Sequence, residues 1–346
     1  TRRFSTNALG IWQSECFIKG EVTCTNCHDD THRPEIEDNK RLIPKNQQLC
    51  TGCHIEIGKN VEGHTFHKAN STGSACVDCH MPRSVTSIKA KMRDHSISIP
   101  SPENTIKFNI PNACNLCHQD QEPEWAITEL DRWYPNSSAR KKIVSRAEAF
   151  ASARNQVPGA TEQLLSLIAD KTQGPFPRAN AIGYLGSIDD PRVFPTLLGG
   201  LKDEHPMIQA ISALKMGDQT GPNRDLAQRA LLPSLNSDNR IVRMNTVISL
   251  LNLGIPKLQG ESGVQFREAL KDHVVRGAFH EDDAPQQLNL GRFHVLNGAT
   301  QDAATAFENS FSLNPMQPGI KFLMAVTRLS QNRHEEAIAL LQAIEE

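Results

Sequence analysis

Cys24-Thr25-Asn26-Cys27-His28 is the stretch on which the reading of this chain turns. The same C-x-x-C-H pattern returns as Cys50-Thr-Gly-Cys53-His54, Cys76-Val-Asp-Cys79-His80 and Cys114-Asn-Leu-Cys117-His118. Two thiols three positions apart on one turn can add to the two vinyl groups along a porphyrin edge. The next residue then projects its imidazole onto the iron. Each motif therefore reads as the attachment site of one haem c, four in all, with His28, His54, His80 and His118 as proximal ligands. A bare C-x-x-C also serves zinc ribbons and redox dithiols, but here every pair is followed at once by histidine. The first three motifs begin 26 residues apart and the fourth after a further 38, which points to one haem-binding loop used repeatedly.

Counting histidines extends the argument to the distal side. Residues 1–125 hold eight, and the four outside the motifs are His32, His64, His67 and His95. Four irons need four distal ligands, so every site can be bis-histidine with none left over. The competing reading leaves one or two of these on the surface and uses Met81 or Met92 instead. His64 and His67 flank Thr-Phe and can serve two different irons from one short segment. His32 lies only four residues past His28, too close to wrap around its own porphyrin, so a neighbouring haem is the expected target. The individual pairings are not legible. Bis-histidine ligation leaves no open coordination position and favours ferric iron relative to Met/His ligation, so low-potential, low-spin haems are expected.

All nine cysteines lie in the first 117 residues; the odd one, Cys16, sits among Trp12, Phe17 and Ile18. A buried free thiol and an intermolecular disulfide are both open to it, and no role is assigned. Pro34, Pro44, Pro82, Pro100, Pro102 and Pro111 break any long helix in this region, which reads as loops with short helical turns. With 346 residues the chain is long enough for two or three domains. Its net charge of −2 shows no basic excess for a nucleic-acid partner, and no stretch approaches the roughly 18–20 apolar residues of a membrane span. The first residue is Thr1, with neither methionine nor signal peptide, so the chain reads as processed or partial and export is inferred from chemistry.

From about Glu122 helix formers with regular apolar spacing take over. Segments 164–170, 197–203 and 231–238 recur every 33–35 residues, each followed by a second apolar helix: Arg178 to Leu185, Gln209 to Met216, Arg243 to Leu251. This resembles HEAT repeats. Further on, Gly298, Ala303 and Phe307 recur 34 positions later as Asn332, Ala337 and Leu341. With Leu288, Gly291 and Asn314-Pro315, that resembles the tetratricopeptide repeat. The expected architecture is mainly α: a tetrahaem domain over 1–121, HEAT-like helices over 122–256 and tetratricopeptide-like helices over 257–346. Solenoids of this kind present docking surfaces. His205, His273, His280, His294 and His334 show no ligand spacing and read as ordinary surface or core residues.

Gly20-Glu-Val-Thr-Cys-Thr-Asn-Cys-His28, Cys79-His80-Met81-Pro82, Arg93-Asp94-His95-Ser96 and Pro111-Asn112-Ala113-Cys114 together resemble exported multihaem cytochromes with a cytochrome c3/c554-like haem region and helical repeats. The resemblance implies that His95 ligates iron and that the protein works outside the cytoplasm, in the periplasm or at the cell exterior. No further C-x-x-C-H stands upstream of Cys24, unlike in longer relatives, so a separate N-terminal entry or catalytic haem is not expected. The leading functional expectation is electron transfer between redox partners, other cytochromes or membrane electron donors, with subunits polymerising end to end into a filament as its sharper form. A reductase of a small nitrogen oxyanion needs an open iron and is the alternative; a scaffold with purely structural haems is a third class.

Overall fold

The computed structural model describes residues 7–28, 46–85 and 91–345, and the chain is mainly α, as expected. Its contacts divide it into two units, residues 1–163 with 170–176 and residues 164–169 with 177–346. No helix among the described residues is long and apolar enough to cross a membrane.

The first unit is built of short helices: Asn7–Gln13, Glu15–Gly20, Cys24–Cys27, Asn46–Thr51, Ile55–Lys59, Val61–Thr65, Cys76–His80 and Glu103–Phe108. Local chemistry starts and stops them. Ser14 caps Glu15–Gly20 by accepting from the Phe17 amide at 3.2 Å, and Asn60 caps Val61–Thr65 by accepting from Gly63 at 2.9 Å. Phe66 ends that helix in the left-handed conformation, φ 55°. One feature was not anticipated, a hairpin pairing Arg83–Val85 antiparallel with Lys91–Arg93 in the register Arg83–Arg93, Ser84–Met92, Val85–Lys91. Two longer helices follow, Pro123–Trp133 and Ser138–Arg154. Arg140 joins them to Glu103–Phe108: its buried guanidinium pairs with Glu103 at 3.0 Å and with Asp131.

Before Trp125 the buried apolar side chains among the described residues are Ile11, Val77 and Ala113. Full burial of an Ile or Val contributes about 1.5–3 kcal/mol, whereas ordering each backbone residue costs about 1–2 kcal/mol. Among the described residues this segment therefore has little apolar side-chain core.

The second unit has a conventional core, with Ile182, Leu185, Leu197, Ile208, Met216 and Leu250 essentially inaccessible. Its second-of-pair helices run Pro175–Leu185, Pro206–Met216 and Arg240–Asn252, each three residues earlier than apolar spacing indicated. Polar caps and N-terminal prolines supply the extra turn: His205 Nδ1 accepts from the Met207 amide at 3.2 Å and Asn239 accepts from Ile241 at 3.0 Å. Segment 231–238 is a 3-10 turn over Leu232–Asn236 after the helix Asn223–Leu231, because Pro233 cannot donate within an α-helix. Arg178 and Asp203 form a buried ion pair at 2.6 Å.

Four further helices, Ala284–Leu296, Thr300–Leu313, Ile320–Ser330 and His334–Glu345, each pack on the next. The 34-residue correspondence has a geometric counterpart. Gly298 and Asn332 both take left-handed φ, 75° and 61°, and Ala303 and Ala337 are both fully buried. Gly291 lies so close to Phe307 that a Cβ there would sit 2.4 Å from its ring. Phe307 is buried, but its counterpart Leu341 is exposed.

Candidate functional site

All four motifs close a single turn. The histidine amide donates to the carbonyl of the first cysteine in three of them, His28 to Cys24 at 2.8 Å, His54 to Cys50 at 2.9 Å and His118 to Cys114 at 3.0 Å. The third lies within the helix Cys76–His80. Both thiols and the imidazole therefore leave one turn, the arrangement that thioether attachment requires. None of the eight motif cysteines forms a disulfide, and neither does Cys16, which is half-buried.

The imidazoles come together in three described pairs, each joining one motif histidine to one of the distal candidates. Ring centroids are 6.2 Å apart for His28 and His95, 6.1 Å for His80 and His64, and 6.2 Å for His118 and His67. A coordinating nitrogen lies about 2.0 Å from a bound metal and about 1.1 Å from its own ring centroid, so rings trans across one metal have centroids about 6.2 Å apart. His54 is exposed, and the remaining candidate, His32, lies outside the described residues.

Hydrogen bonds orient the rings. His80 Nδ1 meets the Ser98 carbonyl at 2.9 Å, His95 Nδ1 the Arg93 carbonyl at 3.0 Å and His67 Nδ1 the Thr65 carbonyl at 2.6 Å. A carbonyl only accepts, so Nδ1 carries the proton and Nε2 is left bare for a metal. Burial and the partner imidazole push the His28 pKa down, and burial, then His80 and His54, do the same to His64. Because Phe66 breaks the helix between them, His64 and His67 face two different motif histidines.

Several contributors carry no motif signature. Arg93 donates to the Val77 carbonyl at 2.8 Å and the Met81 carbonyl at 3.2 Å, and pairs with Asp78 at 2.9 Å. It thereby ties the hairpin to the third motif helix while its own carbonyl holds His95. Gly10 backs onto His95, its absent Cβ only 3.0 Å from the His95 backbone. Trp125 packs on His118 with centroids 4.7 Å apart, Trp133 stacks on Phe66 at 4.6 Å, and the Tyr134 hydroxyl lies 3.0 Å from His64 Nδ1. Aromatic residues at the end of a helix have too many ordinary uses to be singled out from sequence.

Successive motifs are neighbours. Cys27 and Cys53 are close enough for their charges to interact, as are Cys79 and Cys114. The Cys50 and Cys76 thiols share a hydrogen bond, which pushes Cys76 down to about 6 and Cys50 up.

The donor set fits haem c. Two imidazoles at a spacing that one metal ion would bridge are available at each described pair, and no group of three His, Cys, Asp or Glu side chains able to hold a bare metal ion occurs among the described residues. A metal between such rings needs its equatorial ligands from a macrocycle, and the sparse apolar core before Trp125 leaves its faces as the missing packing surface.

Residues 61–179 match the family model of cytochrome c552. That third of the chain includes the motifs at Cys76 and Cys114, the distal candidates His64, His67 and His95, and the aromatic residues against them. No curated protein and no solved structure matches the chain. The family match supports a c-type cytochrome with covalently bound haem c, and the family includes nitrite reductases as well as electron-transfer proteins.

Proposed function

We propose that the chain is an electron-transfer protein that carries four bis-histidine haems c. Cys24 and Cys27 would hold the first, with His28 and His95 as axial ligands; Cys50 and Cys53 the second, with His54 and His32; Cys76 and Cys79 the third, with His80 and His64; Cys114 and Cys117 the fourth, with His118 and His67. The observation that carries this reading is the set of three imidazole pairs at 6.1–6.2 Å, each pairing a motif histidine with a distal candidate. Haem c supplies a one-electron ferric/ferrous couple when bound there. The protein's part is to hold neutral imidazoles on both faces, keep Nε2 unprotonated through the Nδ1 hydrogen bonds, and shut out a sixth-position substrate. Consecutive motifs that lie side by side keep the sites adjacent, which suits conduction.

The test is spectroscopic. Haem quantified as its pyridine complex should give four per chain, the oxidised protein should be wholly low-spin, and the reduced protein should not bind carbon monoxide. A high-spin ferric band with rapid carbon monoxide binding would refute the closed sites and favour the reductase reading. Haem attachment to C-x-x-C-H follows export, which places the protein's work in the periplasm or at the cell exterior. The HEAT-like helices over 122–256 and the tetratricopeptide-like helices over 257–346 are proposed as docking surfaces for redox partners or for further copies of the chain. Electron microscopy of concentrated protein decides between monomers and a cytochrome filament.

A further inference from the structure

We infer that Tyr134 is a positioning residue that fixes the tautomer of His64 and tunes the redox potential of the His64–His80 site alone. The inference rests on the bis-histidine reading above. The Tyr134 hydroxyl donates to the His64 backbone carbonyl, which commits its proton. Its oxygen, 3.0 Å from His64 Nδ1, then interacts with that nitrogen as an acceptor, so Nδ1 bears the ring proton and Nε2 is left as the nitrogen for a metal. The phenol is itself held. Its amide donates to the Leu130 carbonyl at 2.8 Å where the helix Pro123–Trp133 ends, and its ring stands edge-on to Phe66, centroids 6.0 Å apart at 88°.

His64 differs in this from the other oriented rings. His67, His80 and His95 each direct Nδ1 to a backbone carbonyl, which no side-chain substitution removes. At His64 the acceptor is a side chain 70 residues away in sequence. A second-shell acceptor on Nδ1–H raises the electron-donating power of the imidazole and so favours ferric iron. Deleting the acceptor at this one position therefore raises one potential. The His64 and His80 rings are nearly parallel, 11° between planes, whereas His67 and His118 are tilted by 46°. That difference marks the affected haem in electron paramagnetic resonance spectra.

The experiment is potentiometric titration of the holoprotein and of Tyr134→Phe, followed by optical and paramagnetic resonance spectra. Phenylalanine keeps the ring against Phe66 and removes only the hydroxyl. Four haems should remain attached and low-spin, with the midpoint potential of the near-parallel site moved upward and the other three unchanged. A second measurement leaves the fold intact by construction. The chain has two tyrosines, and the other, Tyr184, lies in the second unit, so global replacement by 3-fluorotyrosine weakens this acceptor without truncating it. It should shift the same potential in the same direction by less. Unmoved potentials in both proteins, or equal movement of several haems, overturn the role of Tyr134. A wild-type protein with a high-spin iron at the near-parallel site would instead overturn the ligand assignment beneath it.

Discussion

In the proposed assignment His67 is the distal ligand of the fourth site, and Gly73 packs against its ring, so replacing Gly73 with alanine should open that site. The glycine's φ is +91°, and a Cβ built there would sit 2.7 Å from His67 Cδ2 and 2.8 Å from His67 Nε2. Ordinary contact for such atoms is about 3.5–4.0 Å, so the ring must retreat by about 1 Å or the backbone must move. The ring is poorly placed to yield, because its Nδ1 is held by the Thr65 carbonyl at 2.6 Å. Overpacking of this kind costs about 1–3 kcal/mol, and a left-handed alanine adds about 1–2 kcal/mol. An imidazole displaced by about 1 Å is beyond the roughly 2.0 Å reach of a metal–nitrogen bond. On the proposed assignment Cys114 and Cys117 would still hold the haem in Gly73→Ala, so pyridine quantification should give the same number per chain as the parent, four. One haem of the four should become high-spin when oxidised and bind carbon monoxide when reduced. If all four stay low-spin at unchanged potentials, the pairing of His67 with His118, or the packing of Gly73 against His67, is wrong.

Two expectations concern the second unit. Burial, followed by Arg276 and His294, lowers the His273 pKa to about 4, against about 6.5 in the unfolded chain. The unfolded state therefore takes up the proton first. The stabilisation is complete above pH 6.5 and is lost as pH falls towards 4, by about 3 kcal/mol at most, less what partial solvent screening removes; denaturant titrations should show His273→Phe losing less stability over that window than the parent. In Asp203→Asn the buried Arg178 guanidinium keeps its bond to the Ile168 carbonyl, 3.0 Å, but loses its counter-charge. That should cost about 3–5 kcal/mol and lower the calorimetric Tm by about 10 °C, and an unchanged Tm would show that the pair contributes nothing net.

What could be read from sequence shares one property: it is settled within a few residues. The motif turns follow from the i to i−4 bond between histidine and first cysteine, which needs five residues and no partner. Helices after Glu122 are visible because their apolar period repeats, yet their first turns are hidden, since His205 and Asn239 act through polar caps that a hydrophobic pattern does not register. The hairpin at Arg83–Val85 and Lys91–Arg93 escaped notice for a related reason. It is short, largely exposed, and held by Arg93 reaching back to the carbonyls of Val77 and Met81.

The site divides in the same way. Attachment chemistry requires thiols and imidazole on one turn, so the amino-acid sequence by itself determined which residues are the candidates to attach haem c and to ligate it. A distal histidine is bound only by where the chain returns to in space, so His28 meeting His95 and His118 meeting His67 were decided by tertiary structure alone. So was the contact of Tyr134 with His64. Orientation of a ring depends on whichever acceptor lies within about 3 Å of its second nitrogen, and nothing in the local sequence specifies a neighbour 70 residues away.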